Sequence, residues 1–363
     1  MQPEDGESVP WVSVAMRDAS DRTDARPPVV CFAMAERAFA AAFDDVALHR
    51  LEQAATIVRD GRGRPRLVDS FEDGDWGQLR SADVLITGWG APRIDAEVIG
   101  RFDHLAAVVH SGGTVKTFLD PDVWATGVAV SSAADANAIP VAEFTVATVI
   151  FARSRVPRHI AAYRATGHKR SFDINTLAHG TNGITVGVVG ASRIGRRVIE
   201  LLQVLDATVL ISDPFLDDEE ASALGGELVE LPDLLRRSDV VTLHAPENRS
   251  TRHMIGEGTL PLMRDGAILV NTARGSLVDT AALEPHVVSG RLDAYLDVTE
   301  PEPLPKDSAL FGLPNVVLTP HIAGSLGNEV LRMGSSAVDE VERLAAGRGL
   351  QFPVRASDLG RIA

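Results

Sequence analysis

Short apolar runs alternate with stretches of helical spacing along most of the chain. Such runs predict buried strands, and apolar residues recurring every three or four positions predict helices. Because strands and helices alternate with short connections, the pattern predicts an α/β fold with parallel, doubly wound sheets. The predicted strands are Val29–Met34, Val84–Thr87, Leu105–His110, Thr185–Val189, Val209–Ser212, Val240–His244, Ala267–Asn271, Leu292–Val298 and Val316–Thr319, and helices are predicted at Ala35–Leu51, Val141–Phe151, Pro232–Arg237 and Thr280–Ser289.

The same pattern divides the chain into a lead and two domains. Residues 1–28 carry Pro, Asp, Glu and Arg without an apolar core, which predicts a disordered lead and not a signal peptide. Residues 29–135 predict an α/β domain of their own, and 136–325 predict a second one.

The second domain is expected to open on a buried helix. Val141–Phe151 follows Pro140, which suits a helix start, and is apolar nearly all round. This helix is expected at a domain seam or a subunit contact. The polar stretch 153–182 predicts a surface excursion, and no run is expected to span a bilayer.

Charge and cysteine content narrow the function classes. A net charge of −15 and a pI near 5.1 argue against nucleic acid and anionic membranes as partners, since both need a concentrated basic face. The single cysteine, Cys31, lies in an apolar run and predicts a core residue. A cytoplasmic protein is expected, and no metal site is predicted.

A glycine-rich turn joins the Thr185–Val189 strand to a helical pattern. Gly190 suits the tight turn, and Gly195 allows the helix to lie close to the sheet, with backbone N–H groups facing a pyrophosphate. Asp213 ends the next strand, where a carboxylate can accept from both ribose hydroxyls. The middle glycine of the common G-x-G-x-x-G pattern is Ser192 here. We therefore predict a dinucleotide site of the Rossmann type.

Three chemically distinct side chains follow later strands. Taken singly, each has a simple structural explanation. Arg274 is explained as a surface arginine, Glu302 as a solvated loop acid and His321 as a core or capping histidine. Together they bring a cation, a carboxylate and an imidazole to the sheet edge where parallel α/β proteins bind ligands. Oxidation of a secondary alcohol needs this set: a guanidinium for an anionic substrate, an imidazole to move the proton and a carboxylate to orient it.

These motifs, in this order, resemble the D-isomer-specific 2-hydroxyacid dehydrogenases. The resemblance rests on Gly190–Gly195 with Asp213, on Ser238–Pro246, on Asn271–Asp279, on Leu296–Val298 with Glu302, and on Pro320–Gly324. It implies a Rossmann-type nucleotide domain and a flavodoxin-like substrate domain with a cleft between them. The family's substrate domain is discontinuous, so 326–363 is expected to fold back onto 29–135.

The resemblance also implies roles for individual residues. Arg274, Glu302 and His321 match the catalytic residues, and Asp297 matches the acid that holds the nicotinamide carboxamide. The amides of Gly113 and Thr114, in the less closely matching loop Ser111–Val115, would bind the substrate carboxylate together with Arg274. The residues assigned to the cofactor are Gly190, Ser192, Arg193, Ile194, Gly195, Asp213, His244, Ala245, Pro246, Thr272, Ala273, Asp297, His321 and Gly324.

The resulting hypothesis is an NAD-dependent oxidoreductase that interconverts a D-2-hydroxy acid and its 2-oxo acid, and that forms a homodimer. A formate-type dehydrogenase is disfavoured because that branch pairs its histidine with glutamine, whereas this chain offers Glu302. An alternative from a different functional class is a regulatory protein that uses the site to sense a nucleotide, as do the transcriptional corepressors that resemble this family. An intact Arg–Glu–His set does not exclude that alternative, although the acidic charge balance argues against direct DNA contact.

Overall fold

The structure is a computed structural model that describes residues 26–72, 76–167 and 180–360. The chain divides into two compact units, one ending at Ala136 and taking in Gly327–Leu359, the other built from Asn137–Leu326 with the chain end from Gly360. The crossings after Ala136 and after Leu326 each fall one residue later than the borders expected from the sequence, and the crossing after Leu359 was not expected. Most of the predicted disordered lead, residues 1–25, lies outside the described residues.

The first unit holds a parallel sheet of short, buried strands. Its strand order is β2-β1-β4-β5-β6, and β3 pairs with β1 beyond β2 on the same side. If β2 and β3 count as one edge strand, this is the flavodoxin-like order. The elements are β1 (Val29–Ala33), α1 (Glu36–Ala42), α2 (Asp45–Ala54), β2 (Thr56–Ile57), β3 (Leu67–Val68), α3 (Trp76–Leu79), β4 (Val84–Thr87), α4 (Ala96–Gly100), β5 (Ala107–His110) and β6 (Ala129–Ser132).

The helix predicted over Ala35–Leu51 is two helices, α1 and α2. The chain leaves helical geometry at Phe43, and the side chain of Asp44 then accepts a 2.8 Å hydrogen bond from the backbone N–H of Ala47. An Asp in this position caps a new helix start. The apolar spacing continues across the break, so periodicity alone did not reveal it.

The second unit is a seven-stranded parallel sheet in the order β13-β12-β11-β10-β7-β8-β9. This is the Rossmann order, and the chain reverses direction across the sheet between β7 and β10, the point at which such sheets bind ligands. The elements are α5 (Ala134–Arg153), α6 (Val156–Thr166), β7 (Ile184–Val189), α7 (Arg193–Leu202), β8 (Ala207–Ser212), α8 (Asp218–Ala223), β9 (Glu227–Leu228), α9 (Leu231–Arg237), β10 (Val240–Leu243), β11 (Ile268–Asn271), α10 (Thr280–Val288), β12 (Asp293–Leu296) and β13 (Val316–Leu318).

Helix α5 differs from its prediction in two ways. It begins at Ala134, so Pro140 lies inside the helix and not at its start. At 20 residues it is also long and apolar enough, by length and composition, to cross a membrane, contrary to the sequence-based expectation. One of its faces belongs to the core of the second unit, where Ala142, Val146 and Val149 pack with residues of β7 and α7.

The stretch predicted as a polar surface excursion contains the helix α6, which begins directly after α5. None of its residues is buried. Its sequence lacks a clear apolar face, which explains why periodicity missed it. The segment 168–179 that follows lies outside the described residues.

A last helix, α11 (Glu329–Ala345), returns to the first unit. Its buried face, which includes Val330, Met333 and Val338, packs into the same core as Phe32 of β1. Gly334 makes this packing possible, because a Cβ atom there would lie 1.7 Å from the carbonyl oxygen of Ala42. The C-terminal segment is therefore an integral part of the first unit.

Candidate active site

The turn between β7 and α7 needs both of its glycines. Gly190 has a φ of +92°, and a Cβ there would lie 2.6 Å from the backbone nitrogen of Ala245. A Cβ on Gly195 would lie 2.0 Å from the carbonyl oxygen of Gly190. These close approaches bring the start of α7 against the turn, as a pyrophosphate cradle requires.

Ser192, in place of the middle glycine, caps α7. Its hydroxyl accepts a hydrogen bond of 3.3 Å from the backbone N–H of Gly195. The side chain is thereby directed along the helix start, and Arg193 and Ile194 begin the first helical turn. A serine at this position is a favourable N-cap, which gives the departure from the glycine pattern a physical reason.

Asp213 ties the end of β8 to the glycine turn. Its carboxylate accepts 2.7 Å and 2.8 Å hydrogen bonds from the backbone N–H groups of Ala191 and Phe215, one to each oxygen. The side chain remains partly exposed. Each oxygen keeps a further lone pair, so the carboxylate can still accept from ribose hydroxyls. The cradle, the helix start and this carboxylate together fit an NAD-type dinucleotide.

His244 lies beside this cradle, where β10 ends. Its imidazole is buried, and Nε2 lies 2.9 Å from the Thr242 hydroxyl. Burial lowers the pKa of His244 to about 3, so the ring is neutral at physiological pH. The cradle approaches the backbone of His244 and Ala245, with Pro246 next in the chain. Contact through this backbone explains why the sequence motif extends past the strand.

The loop after β11 is organised by Asn271. Its side chain donates to the carbonyl oxygen of Arg274 at 2.9 Å and accepts from the backbone N–H of Ala273 at 3.1 Å. The hydroxyl of Thr272 lies 2.8 Å from that of Thr145 on α5. The half-buried Arg274 donates to the carbonyl oxygen of Ala273 at 2.7 Å. The guanidinium keeps further N–H groups for an anion.

Asp297 holds the loop that carries His321. Its buried carboxylate accepts from the backbone N–H groups of Ile322 and Ala323, at 2.8 Å and 2.9 Å, and from the hydroxyl of Thr319 at 2.5 Å. The backbone N–H of His321 donates to the carbonyl oxygen of Asp297 at 2.9 Å. His321 has a φ of +57°, an unusual value for a residue with a side chain. These bonds hold the histidine in that conformation, a role that sequence reasoning did not assign to Asp297.

The turn then closes on α5. The backbone N–H of Ser325 donates to the side-chain oxygen of Asn137 at 2.9 Å, and a Cβ on Gly324 would lie 3.3 Å from the same oxygen. Asn137 was not among the predicted site residues. Its contribution depends on the fold and has no signature in the local sequence.

His321 and Glu302 are directly paired. Nδ1 of His321 lies 2.8 Å from Oε1 of Glu302, and both side chains are about half exposed, at 53% and 44%. The loops that carry them follow β13 and β12, which are neighbours in the sheet. An imidazole held by a carboxylate through one nitrogen can exchange a proton through the other.

The first unit carries the predicted carboxylate loop directly after β5. The Ser111 hydroxyl donates to the carbonyl oxygen of Thr87 at 2.9 Å, and Nδ1 of buried His110 lies 3.0 Å from the hydroxyl of the same threonine. A Cβ on Gly112 would lie 2.4 Å from Nε2 of His110, so this position requires glycine. Gly113 and Thr114 follow and are partly exposed.

Comparison with known proteins places these motifs in one family. Residues 149–323 match the family model described as D-isomer specific 2-hydroxyacid dehydrogenase, NAD binding domain. The chain is 37% identical over 257 residues to an (S)-sulfolactate dehydrogenase from Chromohalobacter salexigens, covering 69% of this chain and 81% of that protein. The chain belongs to the D-isomer-specific 2-hydroxyacid dehydrogenases.

Other relatives of this chain extend the likeness. A D-3-phosphoglycerate dehydrogenase from Archaeoglobus fulgidus is 34% identical over 264 residues, 72% of this chain and 49% of that protein. The chain thus spans about half the length of such relatives. A crystal structure of D-lactate dehydrogenase from Aquifex aeolicus with NAD and lactic acid superposes with a TM-score of 0.64 at 25% identity, covering 88% of this chain and 96% of that one.

Proposed function

We propose that this chain interconverts a 2-oxo acid and a D-2-hydroxy acid with NAD(H) as the hydride carrier. The observation that carries the proposal is the His321–Glu302 pair, because it lies on the same sheet as a dinucleotide cradle. A partly exposed imidazole held through one nitrogen fits a proton-transfer role, which dinucleotide binding alone does not require. Family membership and the matched NAD-binding domain support the same activity.

The cofactor would lie along the cradle. The start of α7 would face the pyrophosphate, Asp213 would accept from the adenosine ribose, and the backbone of His244 and Ala245 would border it. The loops Thr272–Ala273 and Asp297 with Gly324 would border the nicotinamide end. When bound, NADH supplies a hydride to the carbonyl carbon of the substrate, and NAD⁺ removes one in the reverse direction.

The substrate would be anchored by its carboxylate. Arg274 offers a planar fork that matches a carboxylate, and its charge also polarises the neighbouring oxo group. We propose, separately, that the backbone amides of Gly113 and Thr114 on the first unit are substrate-binding groups for a carboxylate. Neutral His110 underlies this loop, since burial lowers its pKa to about 3. The ring therefore adds no charge of its own to the loop.

His321 would move the proton. Because Glu302 occupies Nδ1, the remaining ring nitrogen is left to donate to the carbonyl oxygen during reduction and to accept from the hydroxyl during oxidation. The carboxylate of Glu302 orients the ring through this contact. No other proton carrier is needed for this reaction.

Oxidation of NADH with a panel of 2-oxo acids tests the proposal. The wild-type protein should turn over at least one oxo acid, His321→Ala should lose turnover yet still bind NADH, and His49→Ala, which alters an exposed histidine of the first unit, should behave as wild type. If the wild type binds NADH with no turnover on any oxo acid, the nucleotide-sensing alternative is favoured instead.

We further propose that the protein is a homodimer joined through α5 and α6. Large apolar side chains on these helices are exposed in the chain described, namely Ile150, Phe151, Ile160 and Tyr163. Such a group of side chains indicates a contact surface. Light scattering at micromolar concentration should give twice the chain mass, and Phe151→Glu should reduce it. A wild-type monomer would rule out this assembly.

A further inference from the structure

A second charged cluster lies on the loop that carries Glu302. The carboxylate of Glu300 accepts from Arg252, at 2.7 Å between Nη2 and Oε1, and lies 2.7 Å from Nε2 of His253 through Oε2. Nδ1 of His253 lies 3.8 Å from Oδ2 of Asp279. The cluster is thus acid, histidine, acid and arginine, and none of these residues belongs to the proposed reaction.

The segment that supplies Arg252 and His253 is fixed by its backbone. The N–H of His253 donates to the carbonyl oxygen of Ser276 at 2.7 Å, and the N–H of Ile255 donates to that of Leu277 at 3.0 Å. His253 has a φ of +52°, so the chain turns sharply at this residue. The segment 252–255 is therefore attached to the chain directly after Arg274.

The loop of Glu302 is in turn packed against that same stretch. A Cβ on Gly275 would lie 2.0 Å from the carbonyl oxygen of Thr299, so the backbones of the two loops are in contact there. Three segments, 252–255, 274–277 and 299–303, thus interlock. Two of them carry Arg274 and Glu302, whereas the third carries no residue of the proposed reaction and supplies the side-chain bonds to Glu300.

We propose that Arg252 and His253 are positioning residues, which hold Glu300 so that the 299–303 loop keeps the Glu302 carboxylate on Nδ1 of His321. The inference rests on the proposed function for its catalytic meaning. It explains why Glu300, a partly exposed loop acid two residues before Glu302, has two hydrogen-bonding partners on another segment.

The contrasting explanation is a surface ion pair without consequence. Exposed pairs contribute little to stability in general. The bond from His253, followed by that from Arg252, holds the pKa of Glu300 below its usual range, so the carboxylate stays charged. The two explanations therefore make different predictions. If Glu300 is held for positioning, its removal should disturb the Glu302–His321 pair, whereas removal of a surface ion pair without consequence should leave that pair unchanged.

A double-mutant cycle separates them. Glu300→Ala should lower kcat for oxo-acid reduction about tenfold, a coupling within the range found inside one hydrogen-bond network, with KM for NADH unchanged. In a Glu302→Gln background the same change should lower kcat less than about twofold, since the contact it supports is already impaired. Arg252→Ala leaves the sequence of the 299–303 loop and the bond from His253 unchanged, so it should lower kcat less than Glu300→Ala does, and less again in the Glu302→Gln background.

Rescue and a matched control complete the set. Glu300→Gln keeps an oxygen that can accept from Arg252 or His253 and should restore most of kcat. Glu227→Ala removes a comparable exposed acid, which accepts from Arg237 at 2.8 Å and 2.6 Å, and should leave kcat unchanged. A wild-type rate in Glu300→Ala, or an equal loss in both backgrounds, overturns the proposal.

A readout without substrate keeps this test separate from that of the proposed function. The ¹⁵N chemical shift of His321 Nδ1, assigned by its absence in His321→Ala, reports the bond to Glu302. Glu300→Ala should move this signal towards its position in Glu302→Gln, whereas Glu227→Ala should not. An unmoved signal overturns the positioning role, whether or not the wild type turns over an oxo acid. Inactivity of the wild type with every oxo acid counts against the proposed function alone.

Discussion

The imidazole of His321 and the carboxylate of Glu302 meet at 2.8 Å, between Nδ1 and Oε1. The loops that bring them together leave two adjacent parallel strands, and one of the loops is held by buried Asp297. The pair therefore depends on sheet order and on loop geometry, not on nearness in sequence. Its chemistry follows from that placement, because one ring nitrogen is held and the other is left for the substrate.

Glu302→Gln tests what the charge of this pair does. Glutamine keeps the size and one hydrogen bond but removes the negative charge beside the ring, so kcat for oxo-acid reduction should fall by on the order of 10-fold or more. The dissociation constant of NADH should not change, because Glu302 is not assigned to the cofactor. A wild-type kcat in this variant would show that the charge of Glu302 does not act on His321.

Arg274→Lys tests the substrate anchor. Lysine keeps the charge but loses the planar fork, so kcat/KM for the oxo acid should fall about 100-fold, the scale of losing one well-placed donor in an active site. The dissociation constant of NADH, measured by fluorescence titration, should remain within about twofold. Arg264→Lys, at an exposed arginine of the same unit, is the control. A loss confined to NADH binding would make Arg274 a cofactor residue.

Asp213 should make the enzyme prefer NADH to NADPH. Its carboxylate would repel a 2′-phosphate, and the residues that follow, Pro214 and Phe215, offer no arginine in compensation. The ratio of kcat/KM values should favour NADH by about tenfold or more. Asp213→Asn should reduce this ratio, and it should also weaken NADH use, because an amide cannot accept from both Ala191 and Phe215 as the carboxylate does. Equal efficiency of the wild type with both cofactors would contradict this assignment.

Buried His110 should make the first unit less stable against unfolding at acid pH. Its pKa is lowered from 6.5 to about 3 by burial, so the unfolded chain binds a proton below about pH 6.5 that the folded unit does not. The free energy of unfolding should therefore fall by about 2 kcal/mol between pH 7 and pH 5 from this residue alone.

Urea unfolding followed by tryptophan fluorescence measures this effect, because all four tryptophans precede Ala136 in the sequence and the three within the described residues, Trp76, Trp89 and Trp124, belong to the first unit. His110→Asn keeps a partner for the Thr87 hydroxyl. Between pH 7 and pH 5 its free energy of unfolding should fall by about 2 kcal/mol less than that of the wild type. His49→Asn, at an exposed histidine, should retain the wild-type dependence. An unchanged loss in His110→Asn would show that the ring is not the cause.

Much of the sheet architecture could be predicted from the sequence. The strand runs are buried on both faces, so Val84–Thr87 and Val240–His244 stand out as continuous apolar stretches, and the first of these matches β4 residue for residue. Gly190, Gly195 and Asp213 could also be found, because a close backbone approach leaves a glycine in the sequence. These features are local, and local patterns record them.

Features that depend on tertiary contacts were not found in this way. Helix α6 has no buried face to produce a period, and Pro140 suggested a helix start that lies at Ala134. The role of Asp297 in holding the His321 loop and the bond from Ser325 to Asn137 each join segments far apart in the chain. No spacing rule links such residues, so only the folded structure shows them together.

Transfer of deuterium to the substrate from NADH that is deuterated at both C4 positions tests the central claim most directly. With an oxo acid that the wild type reduces, mass spectrometry and chiral chromatography should find one deuterium at C2 of the D-2-hydroxy acid. His321→Ala should bind the same NADH and yield no labelled product. An unlabelled product, a product of the L configuration, or full transfer by His321→Ala would contradict the account.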